Sequence, residues 1–141
     1  MKTQQIYYLA SPYTHKDPSI KKKRAEDVTE CAVELLKHNV FTFAPIAYNE
    51  PWEKYDLPGN WEFWECFDKS FVERCDGGII VLMLDGWKES IGVQAEIKYA
   101  ESLNLPVFYA TQDQIMSGDL SFLMVCELEN KKSLFCQHSK L

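Results

Sequence analysis

The groups that can do chemistry are concentrated in one short stretch, Ser90-Ile91-Gly92-Val93-Gln94-Ala95-Glu96. It follows an apolar run, Gly78 to Leu84, that reads as a buried strand, and it opens a segment of helical periodicity reaching to about Leu103. A strand that delivers a polar turn into a helix N-terminus places backbone N–H groups and the positive end of a dipole at one edge of a sheet. Ser90 adds a hydroxyl at that mouth, and Gly92 permits close backbone approach. Glu96 follows between Val93, Ala95, Ile97 and Ala100, so its carboxyl is expected close to apolar surface. Burial raises a carboxyl pKa, which suits a nucleophile or an acid/base group. The plainer reading of Glu96 is a surface glutamate on an amphipathic helix. The company of Ser90 and Gly92 favours the floor of a small-molecule site instead.

Other residues join this candidate. Asp68 sits among Trp64, Phe67 and Phe71, and a charged group in an aromatic stripe must face water or find a partner. Asp76 reads as a cap on the helix-to-strand turn, and Asp85-Gly86 reads as a turn signal first. Tyr8, Ser11, Tyr13 and His15 lie at or just after the end of the first predicted strand. A buried Tyr8 hydroxyl needs a hydrogen-bond partner, and His15 reads first as an exposed loop histidine. Trp52, Trp61, Trp64 and Trp87 read mainly as core or loop packing. One or two near a crevice can stack on a nucleobase, an interaction worth roughly 1–3 kcal/mol.

The elements that must position these residues follow from pattern. Residues 5–10 form an aromatic-rich strand, broken by Ser11-Pro12. Asp17-Pro18 reads as an N-cap and first helical position. Ala25, Val28, Cys31, Ala32, Leu35 and Leu36 then mark one apolar helix face, which ends near His38-Asn39 with Asn39 as a left-handed cap. Val40 to Ala44 is a second strand stopped by Pro45. Residues 45–60, with Pro51, Pro58 and Gly59, read as a long functional loop. A helix from Gly59 or Asn60 to Cys75, the strand at Gly78, the Glu96 helix capped by Asn104, and a strand at Pro106–Tyr109 complete a β-α-β-α-β-α-β order. That order implies right-handed crossovers and a parallel sheet covered on both faces. The expected fold is a flavodoxin/Rossmann-like three-layer α/β sandwich, with a mainly parallel sheet of four to five strands. Its ligand is expected beyond the carboxyl ends of the strands near the switch in strand order. Three loops leave those ends: residues 11–17, 45–60 and 85–92. Residues 122–126 and 133–136 flank Glu129-Asn130-Lys131-Lys132 and read as a C-terminal β-hairpin.

Bulk properties bound the function. A chain of 141 residues suits one domain, here 1–141, and its 46% hydrophobic and 26% charged residues are ordinary for a globular protein. A net charge of −6 argues against a nucleic-acid polymer as partner. The run Lys21-Lys22-Lys23-Arg24 reads as a solvated helix face ahead of a phosphate-binding one. The five cysteines show no C-x-x-C spacing, so no metal site and no cofactor is expected. Their odd number, with no signal-peptide pattern, leads to the expectation of reduced thiols in the cytoplasm. No apolar run approaches the roughly 20 residues that span a bilayer, so no membrane partner is expected.

Together these motifs resemble the nucleoside 2-deoxyribosyltransferase superfamily, above all its short members of the DUF1937 type. The resemblance rests on Tyr8-Leu9-Ala10-Ser11-Pro12-Tyr13, on Trp64 with Asp68 and Cys75-Asp76, on Ser90-x-Gly92-x-x-x-Glu96, and on Leu105-Pro106-Val107. It covers roughly residues 5–110. It implies an N-glycosidase or deoxyribosyltransferase-like enzyme acting on a small-molecule nucleoside or nucleotide. Glu96 matches the nucleophile that forms a glycosyl-enzyme intermediate. Asp68 matches the carboxylate that handles the base and its proton, and Tyr8 the tyrosine that orients the nucleophile. Ser90 stands where enzymes acting on free nucleosides often carry Asp, and where monophosphate hydrolases carry a phosphate-binding Ser. A hydroxyl at a helix N-terminus donates to a phosphate that a carboxylate would repel. Ser11, Tyr13, His15, Gly92 and Trp64 are the further substrate-binding candidates. The resemblance also implies a homodimer or higher homo-oligomer. The tail from 110 to 141 departs from the pattern, in a region where the transferases lend a site residue to the neighbouring subunit. The competing expectation is a protein that sequesters a nucleotide-derived, ADP-ribose-like signal without turnover.

Overall fold

A computed structural model describes residues 4–124. Its strands are β1 (Ile6–Ala10), β2 (Phe41–Phe43), β3 (Gly78–Leu82) and β4 (Val107–Ala110). They form one parallel sheet in the order β2-β1-β3-β4, with Tyr8 in register with Phe43 on one side and with Ile79 on the other. The helices are α1 (Pro18–Lys37), α2 (Pro45–Asn49), α3 (Trp61–Val72), α4 (Ile91–Ser102) and α5 (Gln112–Met116), with a 3-10 helix at Glu50–Tyr55.

Helices α1 and α4 start and stop where their chemistry dictates. Asp17 accepts from the Ser19 N–H ahead of Pro18 at the head of α1, and Ser90 accepts from the Val93 N–H at the head of α4. Asn39 and Asn104 adopt φ of 61° and 57° just beyond the ends of α1 and α4, the left-handed conformation their short polar side chains tolerate. Alternate strand residues point to opposite faces. Leu9, Ile80 and Leu82 meet Val28, Leu35 and Ile115 of α1 and α5. Tyr8, Ala10, Ile79 and Val81 meet Val72 of α3 and Val93 of α4. This is the expected three-layer sandwich. From β1 the chain passes outward to β2 and then back across to β3, so the order switches between β1 and β3, where ligands of such sheets bind.

Three expectations are corrected. Residues 45–60 are not an irregular loop, because they contain α2 and the 3-10 helix. Pro45 and Pro51 occupy first-turn positions, where the missing N–H costs nothing. The tail from 110 does not begin as a hairpin either. α5 opens with a capping box between Thr111 and Gln114, and residues 121–124 are helical, with Phe122 buried in the α1 layer. The remainder of the expected hairpin lies outside the described residues. On α1, Leu36 is 58% exposed and does not belong to the buried face.

Candidate active site

The sheet brings Tyr8, Asp68 and Glu96 to one face from β1, α3 and α4. Glu96 is 4% exposed and accepts a hydrogen bond from the Tyr8 hydroxyl, itself wholly buried. Tyr8 lies on a central strand with neighbours on both sides, so its ring is fixed before it reaches Glu96. Burial first, and then the neighbouring Asp68 charge, push the Glu96 carboxyl up to about 8, while the Tyr8 hydrogen bond pulls the other way. Burial pushes Asp68 up to about 7. Burial, followed by the charges of Glu96 and Asp68, holds the Tyr8 hydroxyl well above its ordinary range. Two acids and a phenol therefore share one low-dielectric pocket and oppose one another's ionisation.

Glu96 and Asp68 open onto a cavity of about 1000 Å³ at the switch point. Three buried oxygens on its wall, Ser11 Oγ, Asn49 Oδ1 and Asp68 Oδ1, have no hydrogen-bond partner among the described residues. Folded proteins leave few buried polar atoms unpaired, since each costs roughly 1–3 kcal/mol. Three on one concave wall mark a polar binding surface.

The other sequence candidates are distributed around this cavity. Ser90 caps α4, and Gly92 follows in its first turn. A Cβ added at Gly92 would meet the Trp61 ring at 3.5 Å, an ordinary contact, so packing does not demand glycine there. Tyr13 lines the cavity and donates its hydroxyl to Glu53 Oε2 at 2.5 Å. His15 is exposed at the rim, with Nδ1 accepting from the Asp17 N–H at 2.9 Å. Trp64 donates from Nε1 to the Pro58 carbonyl at 2.7 Å and packs edge-on against Phe63 and Phe67, so it holds the wall in place. Asp76 accepts from the Ile6 N–H at 2.9 Å and so anchors the start of β1 rather than capping α3.

Lys21, Asn49 and Glu53 line the cavity without having been singled out in the sequence, and Arg24, expected there only as one of several unplaced phosphate donors, lines it too. The basic run splits in two. Lys22 and Lys23 are exposed, as expected of a solvated face, but Lys21 and Arg24 line the cavity. Their spacing of three residues, which places two side chains on one side of a helix, was the available signal. Trp52 and Trp61, expected mainly as packing, line it too. Among the described residues no cluster of His, Cys, Asp and Glu can hold a metal ion, and no helix is long and apolar enough to cross a membrane.

Comparison with known proteins gives one family. The model for a Domain of unknown function (DUF1937) matches residues 5–112, a span that contains every element from β1 to β4. No curated protein matches the chain.

Proposed function

The chain belongs to the DUF1937 family, and we propose that this member cleaves the N-glycosidic bond of a nucleoside 5′-monophosphate or a related nucleotide. The observation that carries the proposal is the buried Tyr8–Glu96 hydrogen bond at the cavity floor, with Asp68 close enough to raise the Glu96 pKa. The likeness of Tyr8, Asp68, Ser90 and Glu96 to the nucleoside 2-deoxyribosyltransferase pattern supports the same reading.

Each residue has a defined task. An ionised Glu96 oxygen attacks the anomeric carbon as the bond to the base breaks, and the bond's electron pair leaves with the base nitrogen. Burial raises both acids, so the pair retains one proton, and in the reactive arrangement that proton sits on Asp68, which gives it to that nitrogen. Tyr8 donates to the carboxylate and fixes which of its oxygens attacks. Water then attacks the glycosyl ester, returns a proton to Asp68, and frees Glu96 with retained configuration at the sugar. A second base in place of water makes the same site a transferase. Ser90 and the unpaired Ser11 hydroxyl supply donors for the 5′-phosphate near the N-terminus of α4. The exposed Leu57, Phe63 and Ile91 fit a homo-oligomer, which light scattering on the purified chain tests.

Chromatography of common 2′-deoxynucleoside and nucleoside monophosphates incubated with the protein tests the activity. Free base is expected from at least one of them, and Glu96→Ala is expected to abolish it. Absence of base release from all of them defeats the catalytic reading. A second reading, sequestration of a nucleotide-derived ligand, draws on one specific observation: at rest both acids are pushed toward their neutral forms, which donate hydrogen bonds rather than attack. Tight binding with the ligand recovered intact, and unchanged by Glu96→Gln, would favour it.

A further inference from the structure

Arg24 is held in an unusual way. Its Nη1 donates to the carbonyls of Thr14 at 2.9 Å and Tyr13 at 3.4 Å, and its Nη2 donates to the carbonyl of Asp85 at 2.9 Å. Ion pairs among the described residues involve Lys21, Lys23, Lys37, His38, Lys69 and Arg74, and none involves Arg24. Carbonyls can hold a guanidinium in place, but they do not cancel its charge. Lys21, the other cationic side chain of α1 on the cavity wall, is neutralised by Glu53. The half-buried Arg24 therefore has no carboxylate partner in direct contact among the described residues, and it is the unpaired cation on a wall that also carries Glu50, Glu62, Asp85 and Glu89.

The clamp is specific to two loops. Tyr13 and Thr14 belong to the segment that leaves β1 and begins with Ser11. Asp85 belongs to the segment that leaves β3 and ends at Ser90. These strands are adjacent and flank the switch point. The second loop is shaped around the guanidinium. Gly86 has a φ of +88°, and a Cβ added there would sit 2.7 Å from Arg24 Nη2. The carbonyls occupy at most three of the five guanidinium N–H groups, on a side chain that lines the cavity.

We propose that Arg24 is the positioning residue of this cavity: it locks the Ser11 loop against the Ser90 loop, and its unpaired charge selects ligands that are anionic there, a phosphate ester over a free hydroxyl. The selection rests on the nucleotide reading given above, whereas the clamp does not.

The test uses the full chain with Arg24→Gln, Arg24→Lys and Gly86→Ala, each checked for native circular dichroism. Without ligand, Arg24→Gln is expected to speed amide hydrogen exchange in both 11–17 and 83–90, and unchanged exchange in either loop overturns the clamp. With substrate, Arg24→Gln is expected to lower the kcat/KM ratio of a nucleoside monophosphate over its parent nucleoside by about tenfold or more, mainly through KM. Arg24→Lys, which keeps the charge and loses the fork, is expected to recover much of that ratio while exchange stays fast. Gly86→Ala keeps the charge and disturbs the clamp from the other side, so it is expected to speed exchange with most of the ratio intact. An unchanged ratio in Arg24→Gln overturns the selection. If the wild-type protein releases no base from either ligand, the functional reading fails on its own, and selection is read with inorganic phosphate. Phosphate is expected to raise the wild-type Tm more than chloride at equal ionic strength and to lose that advantage in Arg24→Gln. An equal effect in both proteins, or none in the wild type, overturns the selection.

Discussion

On β1, Leu9 points into the layer covered by α1 and α5, while Tyr8 and Ala10 point into the layer covered by α3 and α4. The first layer is built of Leu, Ile, Val, Phe, Ala and Cys side chains, and among the described residues it buries no charged one. The second carries Glu96 in its floor and Asp68 at its edge, next to a run of ring contacts from Phe43 through Phe71 and Phe67 to Trp64. Both layers rest on the same strands, so the sheet serves as a common wall between a dry core and a reactive one. The dry layer gains stability from apolar burial. The reactive layer gives some of it up, because a buried carboxyl is more costly to ionise than an exposed one.

The largest expected effect tests that division directly. Glu96→Gln keeps shape and volume and removes the nucleophile, so base release is expected to fall by roughly a thousandfold or more. Its stability is expected to move the other way. Both folded and unfolded chains hold the Glu96 proton below its ordinary value of 4.5. As pH rises from there towards about 8, the unfolded chain releases the proton and the folded chain retains it, so the wild type loses stability across that window. Glu96→Gln escapes this penalty, and its advantage over wild type is expected to grow from pH 5 to pH 8, reaching on the order of a few kcal/mol. Denaturant titrations at several pH values measure it. A variant no more stable than wild type at pH 8 breaks the contrast between the layers.

Leu35→Ala probes the dry side. Leu35 is fully buried in the α1 layer, so the loss is expected to be about 2–5 kcal/mol. The kcat of the surviving folded protein is expected to stay near wild type, since Leu35 lies inside the apolar cluster and does not line the cavity. A large fall in kcat well below the Tm would show that the layers are mechanically coupled.

The pH dependence of the reaction sharpens the comparison further. The reactive form of the acid pair holds one proton between Asp68 and Glu96. Below about 7 both are protonated and no nucleophile is present, and above about 8 both are ionised and no acid remains. A bell-shaped kcat/KM profile with its maximum between these values is expected. Asp68→Asn should remove the alkaline limb. A profile that rises without limit at alkaline pH would exclude Asp68 as the proton donor.

The dry layer and the helix ends were legible in the sequence because they are local. Asp17-Pro18, Asn39, Ser90 and Asn104 act within a turn of where they stand, and the spacing of Ala25, Val28, Cys31 and Leu35 shows a face regardless of what it packs against. The convergence of Tyr8, Asp68 and Glu96 was expected only from the resemblance their motifs carry, because no local signal joins residues so far apart in the chain. Two parts were not legible. The 3-10 helix at Glu50–Tyr55 buries none of its residues, so it leaves no apolar period, and its prolines mimic breakers. The Arg24 clamp joins carbonyls on two loops some seventy residues apart in the chain, and a carbonyl is the same at every position, so no residue type announces it.

The smallest effect concerns Gly92, where stability and function should part company. Glycine inside a helix costs roughly 0.5–1 kcal/mol relative to alanine. The space at Gly92 accepts a methyl group against Trp61 without strain, so nothing in the packing of α4 or α3 compensates that cost. Gly92→Ala is therefore expected to be slightly more stable than wild type, by up to about 1 kcal/mol. Gly92 also faces the cavity one helical turn before Glu96, where backbone must come close to a sugar for that carboxyl to reach its anomeric carbon. The same methyl group is expected to raise KM several-fold. A chain that gains stability and keeps its KM would show that the ligand does not approach α4 at its first turn, and the reactive layer would then have to be entered from the Trp52 side of the cavity.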